Sequence, residues 1–75
     1  MRLEEIFASV LSEPISNITD FSSPKNLKSW NSLRHIQLVT TVENTYKVRF
    51  TTAEIVTLNS VADIRQILSN KGIKV

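Results

Sequence analysis

Cysteine is absent from this chain, which removes disulfides, thiolate metal sites and a cysteine nucleophile at once. Any thiol chemistry has to arrive on an added group. Histidine occurs once, as His35, so a multi-histidine metal centre is ruled out, and with only scattered carboxylates left as ligands no metal is expected. One glycine and one histidine also cannot build a phosphate-cradling glycine loop, a hydride-cofactor site or a catalytic triad. The residues therefore speak against an enzyme. Long apolar runs are missing too: nothing approaches the ~20 residues needed to cross a bilayer. The opening Arg2, Leu3, Glu4, Glu5 is unlike a secretory leader. A cytoplasmic protein without a membrane partner is the expectation, and the formal glycosylation acceptor Asn17-Ile18-Thr19 then has no meaning.

What is present describes a small globular protein. Apolar residues make up 41% and charged residues 21% of the 75, a balance that folds. The length allows one compact domain, residues 1–75, with a modest core, expected to act as a monomer. Nine basic residues against seven acidic ones leave a formal charge of +2. Only residues 25–28 and 47–49 look locally basic, so the nucleic-acid signal is weak.

Leu3, Ile6, Phe7, Val10 and Leu11 follow an i, i+3, i+4, i+7, i+8 series and predict an amphipathic first helix. It should stop near Ser12, because Pro14 lacks an amide hydrogen and disfavours helix before it. Residues 16–29 are rich in Ser, Asn, Asp and Pro and read as a long loop, functional or broken by short turns. Ile18, Phe21, Leu27 and Trp30 are expected to pin that loop to the core.

A second helix should start at Asn31 or Ser32, either of which can cap it, and run to about Tyr46. Leu33, Ile36, Val39, Val42 and Tyr46, with Leu38 beside them, form its expected core face; Arg34, Gln37, Thr41 and Asn44 form the polar one. The β-branched run at residues 39–42 also admits a strand. Residues 47–50 read as an extended connector. A short helix fits residues 52–57, capped by Thr51 or Thr52, with Ile55 and Leu58 as anchors. The last helix has Ser60 as cap, Asp63 three residues on, and Val61, Ile64, Ile67 and Leu68 facing inward. Gly72 can end it. Four amphipathic segments, one long loop and no repeat give an all-α, four-helix bundle with a short third helix.

One junction invites chemistry. Trp30, Asn31, Ser32 and Leu33 put a serine hydroxyl in the first turn of the longest helix, directly after the loop. Unpaired amide hydrogens and the helix dipole favour an anion there by about 0.3–1 kcal/mol when exposed. A phosphodiester on Ser32 would be well placed; equally, Asn31 and Ser32 could do no more than cap the helix.

The wider pattern weighs on that choice. Asn31-Ser32-Leu33, followed by Ile36, Leu38, Val39, Val42, Glu43 and Tyr46, resembles the Asp-Ser-Leu segment and second helix of the acyl carrier proteins. Leu3-x-x-Ile6-Phe7-x-x-Val10-Leu11 resembles that family's first helix. Residues 50–58 and Ser60-Val61-x-x-Ile64 resemble its third and fourth. The resemblance implies a four-helix carrier whose Ser32 takes a 4′-phosphopantetheine arm from coenzyme A through a phosphopantetheinyl transferase. Its cargo would be an acyl or aminoacyl thioester, passed between a loading enzyme and acceptor enzymes of a dedicated biosynthetic pathway. The arm would bring the thiol that the sequence lacks. Asn31, Leu33, Arg34 and Gln37 are the implied partner-binding positions; Trp30 either packs on the arm or anchors the loop in the core.

Two departures from the family stand out. Asn31 occupies the place of an aspartate thought to help position magnesium during transfer, and a neutral amide is a poorer ligand for a hard cation. Slow modification, or a dedicated transferase, is the expectation. The second helix also lacks the family's acidic face, since Glu43 is its only carboxylate, so partners should use apolar or acidic contacts. His35 is expected at the surface or half-buried, turned away from Ser32. The competing reading is an unmodified helical interaction module, binding a protein, or weakly a nucleic acid through Arg34, Lys47 and Arg49.

Overall fold

The computed structural model describes residues 2–74, and among them the regular structure is entirely helical: α1 (Leu3–Leu11), a 3-10 turn (Ile15–Asn17), α2 (Ser32–Tyr46), α3 (Thr52–Thr57) and α4 (Val61–Asn70). None of these helices is long and apolar enough to cross a membrane.

Each helix end has a chemical cause. The Glu5 carboxylate accepts from the Arg2 amide at the start of α1 (2.7 Å). Ser12 ends that helix in the left-handed region, two residues ahead of Pro14. In α3, Thr51 accepts from the Glu54 amide (3.1 Å) while the Glu54 carboxylate accepts from the Thr51 amide (2.8 Å), a reciprocal capping box. Ser60 caps α4 by accepting from the Asp63 amide (3.2 Å). Past Asn70, Gly72 takes φ +85; its amide reaches the Ser69 carbonyl and the Ile73 amide reaches Leu68 (2.8 Å), the paired bonds of a Schellman motif. The β-branched run in α2 is helical, so packing outweighs its strand preference.

The core is one cluster: Leu3, Ile6, Phe7 and Leu11 from α1; Leu38, Val39 and Val42 from α2; Val61, Ile64 and Leu68 from α4; with Ile18, Trp30, Phe50 and Leu58 from the connections. Arg65 of α4 ties α1 to the long loop, bonding Glu4 (2.8 Å) and Asp20 (3.1 Å). A hydrogen bond from its own backbone amide, and then Arg65, hold the Glu4 carboxyl below the usual carboxylate range.

The loop is held more by polar bonds than by apolar pins. Carbonyls of Asp20 and Ser22 accept from the Ala62 and Val61 amides at the start of α4, where a helix leaves its first donors open. Buried Ser22 accepts from the Thr19 amide (2.9 Å) and donates to the Asn17 carbonyl (3.2 Å). Ile18 and Trp30 are buried and Leu27 half-buried, but Phe21, expected as a pin, is 86% exposed. Ser22 holds the inward place next to it because its hydroxyl meets both bonds, which leaves Phe21 at the outer edge of the turn.

A second correction concerns α2. Leu33 and Ile36, expected in the core, are 66% and 55% exposed. Their inward places are taken by His35, which bonds Trp30 and Ile55, and by Arg34, whose guanidinium donates to the Val10 carbonyl of α1. Leu38→Ala should therefore cost about 2–5 kcal/mol, whereas Leu33→Ala and Ile36→Ala should each stay within about 0.5 kcal/mol. Urea unfolding followed by tryptophan emission checks this; comparable losses at all three positions would put Leu33 and Ile36 back in the core.

Candidate functional site

The site is the start of α2 and the groove beside it. Asn31 lies outside the helix in extended conformation and its Oδ1 accepts from the Arg34 amide at 3.0 Å; its carbonyl takes the His35 amide at 2.8 Å. Asn31 is thus the cap. Ser32 is the first helical residue and exposed. Its hydroxyl bonds no other described residue. Of the two readings the sequence left open at this junction, capping falls to Asn31 alone, and the serine is spare.

The surroundings suit a phosphate ester. The amides of Ser32 and Leu33 belong to the first turn and have no intrahelical acceptor, and no carboxylate occupies that turn. An anion linked through Ser32 would therefore meet donors and the positive helix end without a competing charge. Beside the hydroxyl runs an open groove between the start of α2 and α3, lined by Pro24, Trp30, Asn31, Ser32, His35, Ile36, Ile55, Val56 and Leu58. Most of that lining is apolar. Val56, on the α3 wall, is 74% exposed.

Leu33 and Ile36 share the outer stripe of α2 with Gln37, Thr40 and Asn44, all exposed. Of the four implied partner-binding positions, Asn31, Leu33 and Gln37 thus lie on the outside near Ser32. Arg34 lies apart from them: it is half-buried and bonded to α1. Glu43, the single carboxylate of α2, accepts from the Phe50 amide (2.8 Å) and braces the connector after α2, whose first residue, Lys47, is left-handed rather than extended as expected. Trp30 takes the loop-anchor role, with its ring edge-on to Phe7 at 5.3 Å between centroids.

Neither a protein-family model nor a curated protein sequence matches this chain.

The groove and the exposure of Ile36 were missed by sequence reasoning; Leu33 was placed on the core face by its period and at a partner-binding position by the resemblance, and one signal favoured the outside. Leu33 lies on the same stripe as Gln37, Thr40 and Asn44, so its face was polar for most of its length. His35 was expected at the surface or half-buried and turned from Ser32; it is half-buried, with its ring bonded to Trp30 and Ile55. Loss of the cap in Asn31→Ala should cost about 1 kcal/mol, while Ser32→Ala should change stability by less than about 0.5 kcal/mol. Chemical denaturation of both variants reads this division directly; a Ser32→Ala loss as large as that of Asn31→Ala would make the serine a cap.

Proposed function

We propose that this protein is a carrier that holds an acyl or aminoacyl group as a thioester on a 4′-phosphopantetheine arm attached to Ser32, and that it works in a dedicated biosynthetic pathway rather than as an enzyme. The observation that carries this reading is the serine hydroxyl at the start of α2, exposed and unused by the fold. The resemblance of Asn31-Ser32-Leu33 and its flanking helices to the acyl carrier proteins gives that hydroxyl a chemistry.

The residues present fit the arm. Ser32 Oγ is open to a transferase, the first-turn amides can take the phosphate oxygens, and the groove wall of Ile55 and Val56 offers apolar surface next to the attachment point. When attached, the arm supplies the thiol that carries the cargo. The chain itself makes no bond; it holds a tethered group at high local concentration near successive partner sites. Leu33, Ile36 and Val56 present the apolar contacts a partner would cover around Ser32, and Asn31 and Gln37 its polar margin. No free carboxylate lies on that stripe of α2, which fits partners that do not rely on basic patches.

Incubation with coenzyme A, magnesium and a broad-specificity phosphopantetheinyl transferase, followed by intact-mass measurement, should add one phosphopantetheine to the wild type and none to Ser32→Ala. No gain with any competent transferase would leave the unmodified interaction module. In the same assay Asn31→Asp keeps a capping oxygen and restores a carboxylate beside the serine, so it should load faster. An equal or slower rate would show that the missing charge does not limit transfer.

A further inference from the structure

Leu33, Gln37, Thr40, Asn44 and Lys47 follow one another at alternating steps of four and three along α2 and its cap, so they lie on one line of the outer surface. All five are exposed. The line changes character as it leaves Ser32. It opens on Leu33, with Ile36 beside it, passes through the neutral Gln37, Thr40 and Asn44, and ends on a cation, Lys47. At about 1.5 Å per residue, the 15 residues of α2 put the two ends about 22 Å apart.

The far end forms a surface hollow lined by Thr40, Glu43, Asn44, Lys47, Val48 and Arg49. Arg49 thus stands near Lys47, both are exposed, and neither has a carboxylate partner among the described residues. Glu43, the one acid there, is half-buried, and its Oε2 is taken by the Phe50 amide at 2.8 Å. The hollow therefore turns two cations outward and its carboxylate inward. A second copy of this chain has little to offer them, because its own carboxylates are bonded internally.

We propose that the enzymes acting on Ser32 dock along this outer line with two matched zones: an apolar patch over Leu33 and Ile36, and a carboxylate cluster over Lys47 and Arg49, about 22 Å away. The inference rests on the carrier reading, since the chemistry at Ser32 is what brings an enzyme to this end of α2. An active site that reaches Ser32 Oγ must cover the residues next to it, and the outer line is exposed surface continuous with them. Water expelled from Leu33 and Ile36 supplies the gain in free energy, but an apolar patch alone fixes no direction along a helix. The distant cations do. Carboxylates opposite Lys47 and Arg49 set the orientation of the partner and speed its encounter. Lys25 and Lys28 are equally free of carboxylates but lie in the long loop, off this line, and provide the comparison.

The test measures loading of Ser32 in the full chain by whichever transferase shows the highest kcat/KM on the wild type. In the double variant Lys47→Asn, Arg49→Gln, KM should rise ~5-fold or more while kcat stays within about 2-fold, because these cations lie too far from Ser32 to touch the reaction. Asparagine tolerates the left-handed backbone at Lys47. The control, Lys25→Gln with Lys28→Gln, removes the same charge and should leave KM within about 2-fold. Raising salt from about 50 mM to about 500 mM should raise the wild-type KM and leave that of the Lys47, Arg49 variant nearly unchanged. An unmoved or lower KM in that variant, or an equal rise in the control, would overturn the docking line. Should the double variant fail to fold, Arg49→Gln alone, outside the helix, must still raise KM. Octaglutamate, added to the unmodified chain, should shift the amide resonances of residues 44–49 and not those of 25–28; the reverse, or tighter binding of octathymidylate at 44–49, would overturn it as well. Absence of loading by any transferase ends the carrier reading, whereas loading with an unmoved KM ends only this inference.

Discussion

A buried indole hydrogen needs an acceptor, and the way Trp30 obtains one shapes the Ser32 end of this molecule. Its ring is taken into the core at the end of the long loop, against Phe7. The acceptor it finds is a side chain five residues further on, His35 Nδ1. Bringing His35 inward fixes the rotation of α2, because residues three and four positions on follow it to the same side. Leu38, Val39 and Val42 are therefore buried, while Leu33 and Ile36 are carried outward. A polar bond worth about 1 kcal/mol net thus helps decide which apolar residues the helix exposes beside Ser32. The second nitrogen of the same ring then reaches α3, so the far wall of the groove is set by the same histidine.

The start of α2 separates two duties that a single serine often combines. Asn31 satisfies the free amide of the first turn, and Ser32 is left with no structural task that the fold would lose on modification. The loop before it is built to deliver this junction: Asn26 spans back to the Phe21 carbonyl (3.0 Å) and Ser29 to Glu13 (2.9 Å). Side chains that bond to nearby backbone hold a loop without needing apolar mass. This is why so polar a segment can position the start of α2, and why Phe21 need not be buried for it to do so.

Much of the fold was legible in the sequence. The α1 stripe, the Ser60 cap, the stop at Gly72 and the end of α1 near Ser12 each follow from one local rule, and local rules act before tertiary structure is known; the α3 cap was legible as Thr51 or Thr52, and is Thr51. What escaped were facts set by partners distant in sequence or by a polar residue taking an apolar place. Hydropathy counts Arg34 as outward and Leu33 and Ile36 as inward; the Val10 carbonyl, which takes Arg34, and the Ile55 carbonyl, which takes His35, reverse that order. Ser22 displaced Phe21 for the same reason. The exposure of Ser32 was legible only as one of two options, since both Asn31 and Ser32 can cap, and geometry alone assigns the task to Asn31.

The charge pattern seen by another molecule differs from the formal count. All seven acidic residues have an internal partner: Glu4 and Asp20 share Arg65, Glu54 pairs with Lys71, and Glu5, Glu13, Glu43 and Asp63 accept from Arg2, Ser29, Phe50 and Asn59. Lys25, Lys28, Lys47, Arg49 and Lys74, by contrast, have no carboxylate partner among the described residues. Ion pairing cancels a charge at a distance, whereas an amide hydrogen bond leaves the charge but fixes its place. The exposed charged side chains that lack any bond to an opposite charge or an internal donor are thus positive. Leu33, next to Ser32, and Ile36 and Val56, which line the groove beside it, are exposed and carry no charge. Covering that apolar trio would gain free energy as water is expelled from it.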